Sequence, residues 1–161
     1  MKLYIKQRVF SWGDKFNIYD ENGDECYYAE GEVFTFGKKL HLCSLSGEEL
    51  AYIEQKLLSF MPKYTISVNG NEIAEVVREF AFFRSVYAVN GLDWRVEGNF
   101  FSHEYTIESE GKAIASVSKE WFTFGDAYEI NIADGVDPIS ALAVVLVIDA
   151  CIDADRDASN H

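Results

Sequence analysis

The sequence predicts a mainly β protein in which a closed antiparallel barrel of about twelve strands encloses a central hydrophobic C-terminal α-helix. Three observations lead to this prediction. Most of the chain alternates polar and apolar residues with the period of two that half-buried strands show. Short turn sequences containing Gly separate many of these runs, and connections this short join antiparallel neighbours. Near the end of the chain, an apolar run at 139–148 follows a helix-start signal.

The predicted strands follow one another along the first 133 residues. Strands are expected where β-branched and aromatic residues alternate with polar ones. These runs are 3–10, 16–20, 25–29, 32–36, 39–44, 50–58, 64–68, 72–78, 81–89, 94–97, 100–108, 113–119 and 127–132. Turn signals stand at 21–24, 45–48, 68–71, 89–92 and 109–112, where a Gly readily takes the positive φ that tight hairpins require.

One hairpin is repeated within the chain. Residues 64–79 and 105–120 align without gaps and are identical at eight of sixteen positions, and 40–54 is a weaker copy. A single hairpin cannot bury its own apolar face, so its copies are expected side by side in one sheet that closes or sandwiches to remove its edges. The tetrapeptide Phe-Thr-Phe-Gly also occurs twice, at 34–37 and 122–125. Its aromatic residues and a neighbouring Trp are therefore expected in the core: Phe34, Phe36, Trp121, Phe122 and Phe124.

The predicted helix spans 137–154, followed by an acidic tail at 155–161. Asp137 is a good N-cap, and Pro138 suits the first helical position. Residues 139–148 are apolar on every face, so the helix needs an enclosure, and its core residues are expected to include Leu142, Val145 and Leu146. Asp149 interrupts the apolar run and is expected to tether the helix to the barrel by hydrogen bonds. A side chain that meets water or caps strand ends where the helix emerges is the favoured interpretation, and a polar switch or ligand contact at the barrel mouth is the functional alternative.

Two environments could enclose this helix. A membrane span needs about 20 apolar residues, whereas the run has ten and is followed by several Asp residues. The interior of a barrel of a dozen strands is wide enough to hold an apolar helix. The barrel interior is therefore the favoured enclosure.

Composition limits the classes of function. The 161 residues fit a single domain, 1–161, and carry a net charge of −13 with a pI near 4.5. This balance argues against nucleic-acid binding and disfavours an anionic phospholipid surface, because both need clustered cations. No secretory signal is seen, and the three cysteines are widely spaced, so a reducing, cytoplasmic location is expected.

Several segments together resemble the LURP-one-related proteins. These are Gln7–Phe16, Tyr19-Asp20 with its Gly turn, Trp121–Tyr128, and the closing helix from Asp137-Pro138 to Ile148-Asp149. The fold of that family is similar to the tubby C-terminal domain and to phospholipid scramblases. The resemblance implies a twelve-stranded antiparallel barrel around a central helix and no settled activity. Tubby-like proteins bind phosphoinositides through basic residues, a pattern from which the net charge of −13 departs.

The acidic residues near the C-terminus are weak candidates for a metal site. Their spacing, Asp-x-Asp-x-Asp, opens an EF-hand loop. The match fails after that, because the sixth position is Ala158 and the sequence reaches His161 before a bidentate Glu. A solvated acidic tail is the favoured interpretation, and neither a metal nor another cofactor is expected at Asp153, Asp155 and Asp157.

No complete catalytic motif is present, so an enzyme is not expected. A catalytic group assembled from distant residues, such as His103 with a carboxylate and a Ser or Cys, is the alternative. The favoured function is a cytoplasmic, non-enzymatic interaction or adaptor module that binds an unknown protein through its acidic surface and loops. The second hypothesis is a lipid- or membrane-associated protein, phosphoinositide-binding or scramblase-like, that uses the barrel or a releasable C-terminal helix. Residues 12–16 and 90–94 are the expected recognition loops.

Overall fold

A computed structural model of the chain describes residues 1–6, 15–33, 35–81, 84–122 and 125–160. These residues form twelve strands and one helix. The strands are β1 (Lys2–Lys6), β2 (Lys15–Tyr19), β3 (Glu25–Gly31), β4 (Lys39–Ser44), β5 (Glu49–Gln55), β6 (Lys63–Val68), β7 (Asn71–Ala81), β8 (Arg84–Asn90), β9 (Trp94–Asn99), β10 (Glu104–Ser109), β11 (Lys112–Phe122) and β12 (Gly125–Ile132), and the helix is α1 (Pro138–Ser159).

The twelve strands form one closed antiparallel barrel. Each strand pairs with its neighbour in sequence, and β1 closes the ring by pairing with β12 from Lys2↔Asn131 to Lys6↔Ala127. Closure removes the unpaired edges that an open sheet of hairpins would leave. The predicted fold class, a barrel of about twelve strands with a C-terminal helix, is confirmed.

The repeated hairpin has the same geometry in both copies. Tyr64 pairs with Val76 in β6–β7, and Tyr105 pairs with Val117 in β10–β11. Each copy has a bulge at the same place, after Ile66 and after Ile107. The weaker copy, β4–β5, also has a bulge, after Leu42. Because bulges bend a strand, their repetition gives successive hairpins similar curvature, which helps the sheet to close.

Helix α1 occupies the barrel interior. Asp137 caps its start by accepting hydrogen bonds from the backbone N–H groups of Ile139 and Ser140 at 3.3 and 3.2 Å. Every residue from Ser140 to Ile148 is buried, and Leu142, Val145 and Leu146, expected in the core, are at most 2% exposed. The apolar residues of the wall and of the helix form one continuous core. The helix is therefore the filling of the barrel.

Several predicted element boundaries are wrong. The predicted strand 50–58 ends at Gln55, and the predicted strand 100–108 begins only at Glu104. Residues 32–36 are not a strand, because β3 ends at Gly31 and the chain leaves the sheet until Lys39. The helix also continues through Ser159, so residues 155–159 are not an acidic tail. No Gly or Pro interrupts 150–159, and Asp155 bonds to the wall residue Arg78, so the chain stays helical through the acidic segment.

The Phe-Thr-Phe-Gly prediction is wrong at Phe36, whose side chain is 92% exposed in the connection after β3. Gly37 has φ 78°, which takes the chain out of the extended conformation there. Phe34 and Phe124 lie outside the described residues. Trp121 and Phe122 end β11, and their side chains are also outside the described part of the chain.

Candidate functional site

The two ends of the barrel differ in the length of their connections. We call one the turn end, where strands are joined by residues 20–24, 45–48, 69–70, 91–93 and 110–111, and where 133–137 leads into α1. We call the other the loop end, which carries the longer connections 32–38, 56–62 and 100–103 and where β7 also meets β8. Helix α1 starts at the turn end and runs toward the loop end, because it follows β12, whose last residue pairs near the first residue of β1.

Exposed apolar side chains are concentrated at the loop end. Leu58 and Phe60 are fully exposed, at 104% and 101%. Among the described large apolar residues that are exposed, only Met1 and Leu45 lie at the turn end. Scattered exposed apolar residues are ordinary, whereas a concentration of them marks a contact surface. At the loop end, those more than half exposed are Val33, Phe36, Leu57, Leu58, Phe60, Phe80 and Phe101.

Two of the connections at the loop end lie side by side. The backbone N–H of Lys38 donates to the side-chain oxygen of Gln55 at 3.1 Å, and the backbone N–H of Gln55 donates to the Lys38 carbonyl at 2.8 Å. Leu57 packs directly against Gly37, where an added Cβ would come within 2.8 Å of the Leu57 side chain. The apolar residues of the connections 32–38 and 56–62 therefore belong to one surface.

Charge is distributed unevenly between the two ends. The turn-end connections contain three acidic residues in 20–24, one each in 45–48, 91–93 and 110–111, two in 133–137, and no Lys or Arg. At the loop end, Lys56 and Lys63 flank the apolar connection, and no acidic residue occurs from Gln55 to Lys63. The connection 56–62 thus lacks the acidic residues that the turn-end connections carry, whereas α1 brings Asp153, Asp155 and Asp157 to the loop end.

The second half of α1 is fixed to the loop end by polar contacts. The Lys38 ammonium donates to the Ala150 carbonyl at 3.2 Å, and the Arg156 guanidinium donates to the Phe101 carbonyl at 3.1 Å. Arg78 of β7 donates two hydrogen bonds to Asp155, at 3.1 and 2.7 Å. These contacts join connections that carry exposed apolar side chains to the rigid core, so the loop-end surface is held in a defined shape.

Arg78 also donates two hydrogen bonds, each 3.1 Å long, to the hydroxyl of Tyr87 on β8. Burial opposes the charge of Arg78, but Tyr87 and Asp155 outweigh it and raise the pKa of the guanidinium. The cation is therefore retained inside the rim of the barrel as part of a hydrogen-bonded pair.

A second polar group lies around Asp149, the residue that interrupts the apolar run. The Tyr128 hydroxyl of β12 donates to Asp149 Oδ2. His103 Nε2 lies 3.7 Å from Asp149 Oδ1, and the His103 ring stacks on Tyr128 with centroids 4.6 Å apart. Asp149 therefore bonds the helix to the wall, as the tether hypothesis expects. His103, suggested as part of an assembled catalytic group, belongs to the connection 100–103 and is 6% exposed.

The acidic residues considered for a metal are helical rather than part of a loop. In a helix, residues two apart point in nearly opposite directions, so this spacing does not converge on one ion. Asp155 is taken by Arg78, and the described residues contain no group of three or more His, Cys, Asp or Glu side chains arranged to hold a metal. The three residues are Asp153, Asp155 and Asp157.

Among the described residues, neither of the two expected recognition loops is found at the apolar surface of the loop end. Residues 12–14 lie outside the described residues, as does the side chain of Phe16. Residues 90–94 form a tight turn at the turn end, opposite the apolar surface. The sequence prediction missed the loop-end connections, although one signal was present: 55–63 has two cations, no acidic residue and an apolar centre that does not alternate.

On the outer wall, His41 of β4 lies between two carboxylates. Its Nε2 is 3.1 Å from Glu32, and its Nδ1 contacts Glu49. Burial opposes protonation, but the bonds to Glu49 and Glu32 outweigh it and raise the pKa of His41. His41 is therefore a pH-dependent link between the strand and its neighbouring connections.

Comparison with known proteins places the chain among relatives of similar length. The family described as LURP-one-related matches residues 1–149. The uncharacterized protein YxjI of Bacillus subtilis (strain 168) is 35% identical over 159 residues, which cover 99% of this chain and 98% of that protein. An X-ray structure of an Arabidopsis thaliana protein superposes with a TM-score of 0.69 and 16% identity, over 93% of this chain and 90% of the other. At that identity the superposition bears on the fold alone. In the described part of the chain, no helix combines the length and hydrophobicity needed to cross a bilayer.

Proposed function

The chain belongs to the LURP-one-related family, and we propose that it acts as a non-enzymatic docking module that binds a partner protein through the loop end of its barrel. The observation that supports this most is the concentration of exposed Leu and Phe side chains on that end. Aromatic and aliphatic side chains projecting from a rigid support are typical anchors of protein interfaces. The hydrogen bonds between α1 and the loop-end connections supply such support.

The filled interior supports a non-enzymatic role. Helix α1 occupies the space that ligand-binding barrels leave open for a substrate. His103 and Asp149 are near each other, but His103 is only 6% exposed, which leaves a substrate little access to its ring. The free thiols Cys26, Cys43 and Cys151 support a reducing compartment, and we place the module in the cytoplasm.

The test uses two apolar residues of the loop end and a matched residue of the turn end. Affinity capture from a lysate of the source organism should recover a protein whose purified form binds the chain directly. The double variant Leu58→Ser/Phe60→Ser should weaken that binding by about thirty-fold or more, since an interface anchor contributes about 2 kcal/mol. Leu45→Ser, which alters an exposed Leu of the turn end, should leave the affinity unchanged.

Two results would overturn the proposal. Equal weakening by Leu45→Ser would show that the loop end has no special part in binding. Saturable turnover of a small substrate by the purified chain, lost in a variant of His103, would show an enzyme.

A phospholipid surface is the second candidate. The cations that flank 57–62 favour it, because an anionic membrane would attract this connection and repel the acidic connections of the turn end. Exposed Leu and Phe side chains would then enter the interface between headgroups and acyl chains. The net charge and the acidic end of α1 oppose lipid binding, so the attraction is confined to the connection 56–62.

Liposome co-sedimentation tests the second candidate. Vesicles of phosphatidylcholine with phosphatidylserine or a phosphoinositide are compared with phosphatidylcholine alone, with and without calcium. Binding should require the anionic lipid, fall in Leu58→Ser/Phe60→Ser, and weaken in Lys56→Gln but not in Lys112→Gln, a matched change at the turn end. Failure of the wild-type chain to sediment with any of these vesicles would exclude this candidate and leave the protein partner.

A further inference from the structure

The connection 100–103 contacts α1 at two points. The Arg156 guanidinium holds the carbonyl of Phe101, and the ring of His103 lies over Tyr128 beside Asp149. His103 has φ 54°, a conformation that non-glycine residues adopt uncommonly, and its backbone N–H donates to the Phe100 carbonyl at 3.1 Å. The connection is therefore held in a strained form with His103 turned inward.

One oxygen of this group has no partner. Asp149 Oδ2 accepts from Tyr128, whereas Oδ1 is fully buried and makes no hydrogen bond. His103 Nε2 lies 3.7 Å from Oδ1, which is about 0.5 Å beyond the usual hydrogen-bond range. A buried oxygen without a donor is costly when it carries charge, and much less so when it carries a proton that it can itself donate.

The surrounding charged groups do not stabilise an Asp149 carboxylate strongly. Burial raises the pKa of Asp149 to about 7, with Asp153 adding to the rise and Tyr128 and Arg156 opposing it. Burial lowers the pKa of His103 to about 4, assisted by Arg156 and by Lys119 of β11. The remaining neighbour is the hydroxyl of Tyr105 on β10, which is buried without a partner and stays protonated because burial raises its pKa.

Below neutral pH, the group is thus a neutral acid beside a neutral imidazole. If Oδ1 and His103 Nε2 move slightly closer together, the Asp149 carboxyl can donate its proton to His103 Nε2 while Oδ2 still accepts from Tyr128. Above neutral pH, Oδ2 of the carboxylate keeps the Tyr128 donor, while Oδ1 stays buried without a donor, 3.7 Å from His103 Nε2. Opening the connection that His103 belongs to would expose Oδ1 to water.

We propose that Asp149 and His103 form a proton-operated latch, which holds the connection 100–103 on α1 while Asp149 is protonated and releases it when Asp149 ionises. The inference does not depend on the proposed function. It bears on the loop end because Phe101, one of its exposed apolar side chains, lies on the same connection.

The size of the effect follows from the two states of Asp149. With a pKa of about 7 when the connection is closed and 3.8 when it is open, the open population grows roughly thirty-fold between pH 5.5 and pH 8. That figure is the contribution of Asp149 alone. His103 opposes it, because its pKa of about 4 in the closed state returns to 6.5 when the ring is exposed, so opening at pH 5.5 takes up a proton. The net growth of the open population between pH 5.5 and pH 8 is therefore about threefold.

Amide hydrogen exchange measures the opening directly. The N–H groups of Ser102 and His103, which bond to Asn99 and Phe100, are the reporters, and the turn amide of Gly23 is the internal reference. After correction for intrinsic exchange rates, protection of the reporters should fall about threefold from pH 5.5 to pH 8. Protection that is constant, or that rises with pH because His103 donates to the carboxylate, would overturn the proposal.

Two variants separate the latch from general stability. Asp149→Asn keeps an acceptor for Tyr128 and a donor for His103 but cannot ionise. Only His103 then titrates, so protection in this variant should rise about tenfold from pH 5.5 to pH 8, opposite to the wild-type change. If this variant does not fold, Tyr128→Phe is the second test. Because the Tyr128 bond lowers the pKa of Asp149, its loss should move the midpoint of release to higher pH. A wild-type pH profile in Asp149→Asn, or an unmoved midpoint in Tyr128→Phe, would show that Asp149 is not the titrating group.

Discussion

Removing a side chain from the centre of α1 should destabilise the protein strongly. In Leu142→Ala the lost side chain is completely buried, at 0% exposure. Such substitutions cost about 2–5 kcal/mol, and the larger values arise where the surroundings cannot collapse into the cavity. Here the wall is a hydrogen-bonded ring without a free edge, so little collapse is available. We expect a loss of about 3–5 kcal/mol in the free energy of unfolding.

Urea denaturation followed by circular dichroism and tryptophan fluorescence measures this change. The midpoint should fall while the m-value stays the same, and Tm should drop by about 6–20 °C for a chain of this size. Leu58→Ala removes the same atoms from a fully exposed side chain and should change the stability by less than about 0.5 kcal/mol. A loss below about 1 kcal/mol for Leu142→Ala, with an unchanged m-value, would refute the view that the helix is the core of the barrel.

Three further changes test the wall. In Gly98→Ala, the added Cβ would lie 2.5 Å from the backbone of the next strand, at a φ of 144°, so thermal unfolding should show a larger loss than Gly70→Ala, where nothing lies within 4 Å. Arg78→Met leaves Asp155 without its partner and should cost about 1–2 kcal/mol by urea denaturation, less than a fully buried pair because Asp155 is partly exposed. An unchanged urea midpoint in Arg78→Met would show that the Arg78–Asp155 pair does not stabilise the fold. The raised pKa of His41 means that its bonds stabilise the fold below about pH 6.5 and are lost as pH rises through the folded value. His41→Gln should therefore lose stability at pH 5.5 but not at pH 8.5, by less than about 1 kcal/mol because the partners are exposed, and equal losses at both values would contradict this.

The sequence was sufficient for the fold because several local signals agree. Alternation, Gly turns and the Asp137-Pro138 cap each indicate one element, and the repeated hairpin links the elements into one sheet. The two copies share even the bulge and the left-handed residue before the turn Gly, with φ 52° at Asn69 and 51° at Glu110. Equal sequence here gives equal backbone geometry, which is why the repeat was a reliable guide to the architecture.

The errors arise where the decisive contact is distant in sequence. Alternation continues past β3, so Phe36 resembles a core residue, yet only the position of the sheet edge decides that it projects outward. The acidic composition after Ile152 resembles a solvated tail, but Arg78, which is 77 positions away, binds Asp155 while the helix continues. The pattern of neighbouring residues in a sequence carries no information about contacts between residues so far apart.

The candidate site was foreseen only in part. Asp149 attracts attention in the sequence because a carboxylate in an apolar helix needs a partner. Its partners come from β12 and from the connection before β10, and no spacing in the sequence joins them. The apolar loop end was missed because exposed Phe and Leu cannot be distinguished from buried ones until the ends of the barrel are known.

Site-specific photocrosslinking tests the docking surface most directly. Benzoylphenylalanine is introduced in place of Phe60 at the loop end or of Leu45 at the turn end, and the chain is expressed and irradiated in the cell. The account predicts a discrete protein adduct from position 60, lost on adding Leu58→Ser, and none from position 45. Adducts from position 45 alone, or no adduct from position 60 under conditions where other chains crosslink, would contradict it.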